Sequence, residues 1–590
     1  MTQDPICGMP IDEKETEIKV HVRGRTYYFC SEYCKHTFLE RKQIAYFSME
    51  IGLTDDIPTY SGGLGVLAGD VIRSSADLRI PLVVVSLISK KGYFKQELTR
   101  EGKQIEHPVE WLPANFMNEL PTQVRVQIQG RDVRIKAWLY EHISMTGGLI
   151  SVLFLDTDVA GNTPEDREIT SFLYGGDERY RLKQEIILGI GGVRMLEAAS
   201  FKVGKYHMNE GHSSLLTLEL LRNNQMELDK VKDLCIFTTH TPVEAGMDKF
   251  PYGLVHETLG EFIPLDVLKE LGGQDRLNMT LLALNLSKYV NGVAEKHQEF
   301  SKKLFPGYHI SEINNGVHSF TWTCDSFRKL YNRYLPRWAN EPELLVRVRD
   351  SIPDEEIWQA HKAAKEQLLD FVRQKTNVSL DRDVLLLGVA RRATAYKRPT
   401  LLFSDLERLK KVNRKGKIQV IFAGKAHPKD WPGKKLIEEI YGYIERLRNG
   451  IPIVYLEDYD MQMTAKLTSG VDVWLNTPLP PFEASGTSGM KAAHNGVINF
   501  SVLDGWWVEG GVEGVNGWSI GPSPDETLSI EERITQELDD LYNKLTYIIV
   551  PMFYQSRNQW IEMMTNSIGT IAYYFNSHRM MRQYTTAAYL

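Results

Sequence analysis

The sequence predicts an α/β protein with two Rossmann-like lobes and a ligand cleft between them, preceded by a small α+β module of metal-binding type. Three observations predict this arrangement. Short apolar runs alternate with amphipathic helical stretches over most of the chain, which is the pattern of parallel sheets. The 590 residues suffice for several domains. Three of the five cysteines fall close together near the start of the chain, apart from this alternating region.

The composition narrows the class of function. Hydrophobic residues make up 43% and charged residues 25% of the chain, as in ordinary globular proteins. The net charge of -7 does not favour binding to nucleic acid or to an acidic membrane, because both carry negative charge. No apolar run is long enough to span a bilayer, and the first residues lack a secretion pattern. We therefore expect a cytoplasmic protein that acts on a small molecule or a neutral polymer. A homo-oligomer is compatible with the sequence.

The first segment, residues 1–42, contains the clustered cysteines Cys7, Cys30 and Cys34. The spacing of the last two places both sulfur atoms on one face of a helix. Thiolates favour zinc, copper or iron, and His36 or Asp4 could supply a fourth ligand. Spacing alone leaves a second interpretation open, in which these are buried thiols without a metal.

The strings DPICGM at 4–9 and YYFCSEYC at 27–34 resemble the YHS domain, a module associated with heavy-metal proteins. This resemblance implies a metal-binding or sensing module, which we predict to be independent of catalysis. Residues 41–43 are expected to form a short polar linker.

The boundary between the two lobes is predicted near residue 377. Apolar runs at 384–389, 418–423 and 453–456 are each followed by a helix-like stretch. Residues 355–373 have helical periodicity and precede a loop. We therefore predict a first lobe at 43–376 and a second at 377–590, with terminal helices that pack back on the first. Ligands bind outside the carboxyl ends of parallel strands, which places the site in the cleft.

Two segments of the second lobe have the residue types of an anion site. Residues 483–491, EASGTSGMK, combine small residues with the start of a helix, where backbone N–H groups can approach an anion. Residues 390–399, ARRATAYKRP, place four cations directly after an apolar strand, where they would face the cleft. The alternative for residues 483–491 is a turn that only starts a helix. The alternative for residues 390–399 is a basic surface exposed to solvent.

A glycine loop, GGLG at 62–65, begins a helix of the first lobe and is a further candidate for anion binding. It matches neither the dinucleotide fingerprint nor the Walker loop. The glycines at 189–192 lie within an apolar helical pattern, and we predict that they serve close packing.

Together these segments resemble the α-glucan phosphorylase family, which has the two-lobed GT-B architecture and depends on pyridoxal phosphate. The resemblance extends from residue 44 to the last residue of the sequence. It rests on these motifs: AYFSME at 45–50, GGLG at 62–65, NEGH at 209–212, THT at 239–241, NGV at 315–317, the 391–397 stretch and EASGTSGMK at 483–491.

The resemblance implies a role for each matched position. Lys491 would hold pyridoxal phosphate as a Schiff base, and the other residues expected around the cofactor are Thr487, Ser488, Arg391 and Tyr459. The residues expected to bind substrate phosphate are Arg392, Lys397, Gly62, Gly63 and Leu64. The residues expected to contact the glucosyl unit are His240, Asn315 and Glu483. Of these, the predicted catalytic set is Lys491, Arg392, Lys397 and His240.

The implied reaction is the reversible phosphorolysis of an α-1,4-glucan or maltodextrin to α-glucose 1-phosphate. Inorganic phosphate can serve as both acid and nucleophile, so the carboxylate pair of a glycosidase is not required. Asp460 stands where longer members have a basic residue, which implies partly rebuilt cofactor surroundings. Two other interpretations are a sugar-nucleotide-dependent glucan synthase of the same fold and a metal-responsive glucan-binding protein.

Overall fold

The computed structural model describes residues 2–590, and within them two large sheets carry the mixed α/β fold. Each sheet is covered by helices, and each encloses its own apolar core. None of the helices in the described part of the chain is both long and apolar enough to cross a membrane.

The first sheet has nine strands among the described residues. Their spatial order is Ser311–Glu312, Tyr289–Gly292, Cys235–Thr238, Val203–Asn209, Gln43–Phe47, Leu82–Leu87, Leu149–Asp156, Arg131–Ile143 and Asn118–Ile128. The first seven run parallel, and the last two are antiparallel. All residues of Leu82–Leu87 are buried, as expected for a strand with helices on both faces.

The second sheet has six strands, and every neighbouring pair is parallel. Their spatial order is Ile453–Leu456, Ile418–Ala423, Leu385–Ala390, Val473–Asn476, Ile498–Val502 and Gly517–Ile520. The runs predicted at 418–423 and 453–456 form strands with those bounds, and the run predicted at 384–389 is shifted by one residue.

Helices cover both sheets, and in chain order from the first sheet onward they are Gly63–Asp77, Pro164–Arg167, Glu178–Ile186, Gly192–Ala198, Leu216–Asn223, Leu228–Leu234, Tyr252–Leu259, Leu265–Gly272, Met279–Asn285, Glu295–Leu304, Ser319–Trp322, Asp325–Tyr334, Val348–Ser351, Asp354–Thr376, Leu406–Lys415, Trp431–Leu447, Met461–Gly470, Ser488–Ala493, Trp507–Gly510, Ile530–Lys544, Val550–Gln555, Arg557–Ser567 and Ser577–Tyr584. The helix expected at 355–373 is Asp354–Thr376. It ends at Asn377, whose left-handed backbone cannot continue the helix.

The glycines at 189–192 pack closely against a neighbouring helix, as expected. A Cβ on Gly189 would lie 2.6 Å from the backbone nitrogen of Leu216.

The last helix, Ser577–Tyr584, packs against the helix Gly63–Asp77, and the residues that follow it reach the first sheet. The Ser577 hydroxyl lies 2.5 Å from the Ser74 hydroxyl, and the Tyr589 hydroxyl lies 2.8 Å from His207 Nδ1. Side chains from the end of the sequence thus complete the core below the first sheet.

The N-terminal segment forms two short strand pairs and one helix: Thr2–Gln3 with Pro10–Ile11, Lys19–Val22 with Arg25–Tyr28, and Glu32–Glu40. It packs directly on the first sheet layer. The Arg23 guanidinium lies 3.6 Å from the centre of the Phe201 ring, and the Tyr27 hydroxyl donates to Glu141 at 2.6 Å.

The expected linker at 41–43 is wrong at its last residue. Gln43 begins a strand of the first sheet, because its N–H donates to the Lys202 carbonyl at 2.7 Å.

Candidate active site

Lys491 lies on the short helix Ser488–Ala493, and its side chain is buried against an indole ring. The ammonium is 4.3 Å from the centre of the Trp322 ring and 3.4 Å from Thr487 Oγ1. Within residues 2–590 no carboxylate pairs with it directly. The nearest acidic influence is Asp70, which accepts a hydrogen bond from Trp322 Nε1 at 2.8 Å.

The pKa of Lys491 is lowered to about 8. Burial without an ion pair is the main cause; the charge of Asp70 acts against the shift, and the charge of Arg73 adds to it. A lysine of this kind has a much larger unprotonated fraction at neutral pH than an exposed one. Such amines are nucleophiles toward carbonyl groups. The Lys491 side chain is therefore suited to capture an aldehyde.

Arg391 follows the strand Leu385–Ala390, is half-buried, and reaches the neighbouring strand Val473–Asn476 of the second sheet. Its guanidinium donates to the Leu475 carbonyl and is 3.5 Å from Thr477 Oγ1, while its Nε is buried without a partner. Burial lowers the pKa of Arg391 to about 10, although the nearby Glu483 and Tyr459 act in the opposite direction. Tyr459 is thus close enough to Arg391 to influence its pKa electrostatically.

Arg392 faces the first sheet from the same loop. Its side chain is exposed, yet its surroundings desolvate the guanidinium, which by itself would lower the pKa of the group. The negative influence of Tyr396, Tyr93 and Glu50 outweighs this and raises the pKa of Arg392. Because Glu50 belongs to the first sheet layer, Arg392 lies where both layers contribute to one site.

Lys397 and Glu483, which the sequence assigns to phosphate and to the sugar, form an ion pair with each other. Each side chain is 16% exposed, so the pair is largely shielded from solvent. Asp504 fixes this loop by accepting hydrogen bonds from the backbone N–H groups of Glu483 and Gly505, both at 2.9 Å. Burial raises the pKa of Asp504 to about 8.

The glycine loop precedes the helix Gly63–Asp77, with Gly62 at the N-cap. One oxygen of Glu50 accepts from the backbone N–H groups of Ser61 at 2.6 Å and Gly62 at 3.1 Å. A side chain built on Gly62 or Gly63 would meet nothing within 4 Å, so the backbone there is open to a ligand. Leu64 is partly buried in the first turn of the helix. The loop thus has the geometry of a helix N-terminal anion site.

The glycine loop and the Lys491 helix meet in one apolar cluster. Val66 from the first layer packs there with Met490 and Trp322. This contact brings the two candidate anion segments, which are more than 400 residues apart in sequence, into one region of the fold.

His240 and Asn315 line the same small pocket, together with Asn209. His240 Nε2 is 2.7 Å from Asn209 Oδ1, and because that oxygen can only accept, the proton resides on Nε2. Desolvation lowers the pKa of His240 to about 3, so the ring is neutral at physiological pH. Asn315 Oδ1 is buried without a partner. These groups are neutral and polar, which suits hydrogen bonds with hydroxyl groups, but the cavity itself, of about 10 Å³, holds no more than about one water molecule.

The cysteines of the N-terminal segment form a compact cluster. Cys30 Sγ lies 3.5 Å from Cys7 Sγ and 3.7 Å from Cys34 Sγ, and the Asp4 carboxylate is the fourth member. Asp4 is fully buried, and it accepts hydrogen bonds from the backbone of both cysteine loops. His36, the other candidate for a fourth ligand, is exposed and does not belong to the cluster. The donor set suits a thiophilic metal.

Sequence reasoning missed three residues of the site. Trp322 covers the Lys491 amine, Asp504 holds the Glu483 loop, and Glu50 holds the glycine loop. Glu50 belongs to the motif AYFSME that carries the family resemblance, but the sequence does not indicate that its carboxylate holds the glycine loop. Nothing in the local sequence of Trp322 or Asp504 indicates a contact with residues so far away.

Comparisons with known proteins identify the family of the chain. A carbohydrate phosphorylase family model matches residues 263–544, and a YHS domain model matches residues 2–46. The chain is 40% identical to a maltodextrin phosphorylase of Thermococcus litoralis, covering 92% of this chain and 70% of that protein. It is 36% identical to a glycogen phosphorylase of Aquifex aeolicus, and the match covers 95% of this chain and 88% of that protein. It is 35% identical to a glycogen phosphorylase of Mycobacterium tuberculosis, and the match covers 92% of this chain and 70% of that protein.

These matches confirm both resemblances that the sequence motifs indicate. The identity extends over nearly the whole chain, including the segments that meet around Lys491, and the chain belongs to the carbohydrate phosphorylase family.

Proposed function

We propose that the protein is an α-glucan phosphorylase, which reversibly transfers the terminal glucosyl unit of an α-1,4-glucan or maltodextrin to inorganic phosphate. The product is α-glucose 1-phosphate. The observation that carries the proposal is the buried Lys491 amine, which has a lowered pKa and no ion-pair partner within residues 2–590. Members with similar sequences are named maltodextrin and glycogen phosphorylases, which supports the substrate class.

The residues around Lys491 fit pyridoxal phosphate. The Lys491 amine has a lowered pKa and no ion-pair partner within residues 2–590, as an aldehyde-binding lysine requires. Arg391 Nε is a buried, unpartnered donor that an anionic phosphate would satisfy. Lys491 would hold the cofactor, with Thr487, Ser488, Arg391 and Tyr459 around it. When bound, the cofactor supplies a phosphate group that exchanges a proton with the substrate phosphate near neutral pH.

Inorganic phosphate is bound between the two sheets in this proposal. Arg392 and Lys397 supply positive charge, and Gly63 and Leu64 supply N–H groups at a helix N-terminus, since the Gly62 N–H is already bonded to Glu50. Two phosphates close together repel each other, which accounts for the number of cations here. Lys397 is paired with Glu483, so phosphate competes with that carboxylate for the ammonium.

His240 and Asn315 are assigned to contact the glucosyl unit, which lies outside their own cavity because that cavity, of about 10 Å³, has room for about one water molecule. Both groups are neutral, so they orient hydroxyl groups and do not add charge. Glu483 is released toward the sugar when Lys397 turns to phosphate. The rest of the glucan would follow an open groove of about 830 Å³ that Tyr174, Phe250 and His427 line.

The proposal extends to the architecture. The two sheets are assigned to the two lobes of the GT-B arrangement, residues 43–376 and 377–590, with the site between them. Residues 1–42 are assigned to a metal-binding module of YHS type. All five cysteines are free, which suits the reducing cytoplasm to which we assign the protein.

The experiment measures glucose 1-phosphate released from maltodextrin and inorganic phosphate, with borohydride trapping and peptide mapping in parallel. We expect a pyridoxyl group on Lys491 and turnover that Lys491→Ala abolishes. Lys397→Ala should raise the KM for phosphate, whereas Lys435→Ala, at an exposed surface lysine, should leave it unchanged.

A protein that holds no pyridoxyl group after growth with pyridoxal phosphate, or that transfers glucose only from a sugar nucleotide, would refute the proposal. The second result would identify a glucan synthase of the same fold.

A further inference from the structure

The helix that presents the glycine loop ends in an unusual way. After Leu78 at the C-cap, the Arg79 N–H bonds to the Ala76 carbonyl at 3.1 Å and the Ile80 N–H to the Ser75 carbonyl at 2.9 Å. This is the Schellman pattern, in which the residue at the Arg79 position has a left-handed backbone and is usually glycine. Arg79 has a φ of 55° and is thus strained where glycine would not be.

The Arg79 side chain explains why an arginine occupies this position. Its guanidinium donates to the Cys7 carbonyl at 2.5 Å and to the Thr146 carbonyl. The Arg79 carbonyl in turn accepts from the Arg41 guanidinium at 2.7 Å. Arg79 is therefore bonded to both ends of the N-terminal segment and to a loop of the first sheet layer.

Gly8 makes this contact sterically feasible. A Cβ on Gly8 would lie 2.6 Å from Arg79 Nη2 and 2.8 Å from the Thr146 carbonyl oxygen. The residue next to a ligand of the thiol cluster thus packs directly on the guanidinium. Any change in the Cys7 loop when the cluster binds a metal must be accommodated at Arg79.

The helix between Arg79 and the glycine loop is suited to transmit such a change. Gly63–Asp77 has 15 residues, and every residue from Gly65 to Ala76 is buried. A buried helix of this length, about 22 Å, moves as a rigid body when it shifts within its packing. Its far end presents the Gly62 and Gly63 backbone, and Glu50 holds this loop by accepting hydrogen bonds from the N–H groups of Ser61 and Gly62.

We propose that metal binding at Cys7, Cys30 and Cys34 is coupled through Arg79 and the helix Gly63–Asp77 to the phosphate affinity of the glycine loop. The inference rests on the proposed function, because it takes that loop as part of the phosphate site. It differs from the prediction made from the sequence alone, in which the N-terminal module is independent of catalysis. Metal in the cluster holds the Cys7 loop and Arg79 in place and keeps the glycine loop ready for phosphate.

The test uses the full-length holoenzyme with Zn²⁺ or Cu⁺ added separately. We expect one equivalent to bind and Cys34→Ser to abolish that binding. Two readouts follow: hydrogen exchange of the peptides covering residues 60–66 and 74–80, and the KM for inorganic phosphate. In the wild type, metal should slow exchange in both peptides and lower the KM several-fold, as between typical coupled sites.

Arg79→Gly separates coupling from structure, because glycine suits the left-handed backbone while the contact with Cys7 is lost. We expect this variant to bind metal with the same stoichiometry but to show no change in exchange at 60–66 and no change in KM. Arg337→Gly is the matched control, since Arg337 also has a positive φ, of 77°, but lies exposed on the surface. It should respond to metal as the wild type does.

Three results would overturn the inference. The first is that neither ion binds at one equivalent that Cys34→Ser abolishes. The second is that metal does not change exchange of the 60–66 peptide in the wild type, and the third is that metal changes it as much in Arg79→Gly as in the wild type. Failure of the proposed function gives a different pattern. A protein without phosphorolysis would still report the coupling through hydrogen exchange, whereas an active enzyme whose glycine loop ignores metal refutes the coupling alone.

Discussion

The lowered pKa of Lys491 makes a quantitative prediction about how the cofactor-free protein acquires its cofactor. Only the unprotonated amine attacks an aldehyde. At pH 7 a pKa of about 8 leaves roughly one amine in ten unprotonated, against roughly one in 3,000 for an ordinary lysine. We therefore expect cofactor capture at pH 7 to be about 300-fold faster than with an unperturbed lysine of equal access.

The assay follows pyridoxal phosphate absorbance after mixing with cofactor-free protein across a pH series. The rate should rise about tenfold per pH unit below pH 8 and level off above it. Asp70→Asn should move this midpoint to lower pH, because the Asp70 charge raises the pKa of Lys491. Asp229→Asn, at an exposed position far from Lys491 in sequence, serves as the control and should leave the midpoint unchanged. A rate that keeps rising to pH 10 would refute the argument.

The same shift has a consequence for stability. Between pH 8 and 10.5 the unfolded chain binds a proton at Lys491 that the folded chain does not bind, so the stability of the cofactor-free protein rises with pH in that window. Below pH 8 the lowered pKa of Lys491 reduces the free energy of unfolding by about 3 kcal/mol, at about 1.4 kcal/mol per pKa unit. Lys491→Met should remove most of this cost, and denaturant unfolding of both cofactor-free proteins at pH 7 measures it.

Three further predictions concern other parts of the site. The pKa of His240 is lowered to about 3, so His240→Asn should reduce kcat while the shape of the pH–rate profile between about pH 5 and 8 stays the same; loss of an acidic limb would contradict this. Because the pKa of Asp504 is raised to about 8, its folded form holds a proton that is lost as pH rises through 8. Denaturant unfolding should then show Asp504→Asn gaining stability relative to the wild type between about pH 4 and 8, and a constant difference would contradict the shift. At the thiol cluster, His36→Ala should bind the same amount of metal as the wild type and Cys34→Ser none, as measured by elemental analysis; equal loss in both would return His36 to the ligand set.

The strands of the second sheet were predictable because they are buried on both faces. The runs at 418–423 and 453–456 are mostly apolar, with Gln419 the one polar side chain, and they form strands with those bounds. The long antiparallel pair Asn118–Ile128 and Arg131–Ile143 was not predicted. Its strands carry many charged side chains on one face, so the apolar signal is diluted.

The candidate site could be predicted as a set of residues but not as a set of contacts. Family motifs identify Lys397 and Glu483, yet their ion pair joins residues 86 positions apart and is visible only in the fold. Asp4 was one of two open choices for a fourth ligand, and the structure favours it because the backbone N–H groups of Cys7 and Cys30 converge on its carboxylate. Arg79 carried no signal at all, since a single arginine in a sequence does not reveal a left-handed backbone.

The position of the last helix has a consequence for biosynthesis. Met580, Tyr584 and Tyr589 line the same pocket as His240 and Asn315, and Tyr589 reaches His207 across 382 residues of sequence. A nascent chain that has already formed most of the first sheet still lacks one wall of the cavity beside His240 and Asn315. Since contacts of such long sequence separation form late in folding, we expect the ribosome-bound chain to be unable to bind glucan until residue 589 has emerged.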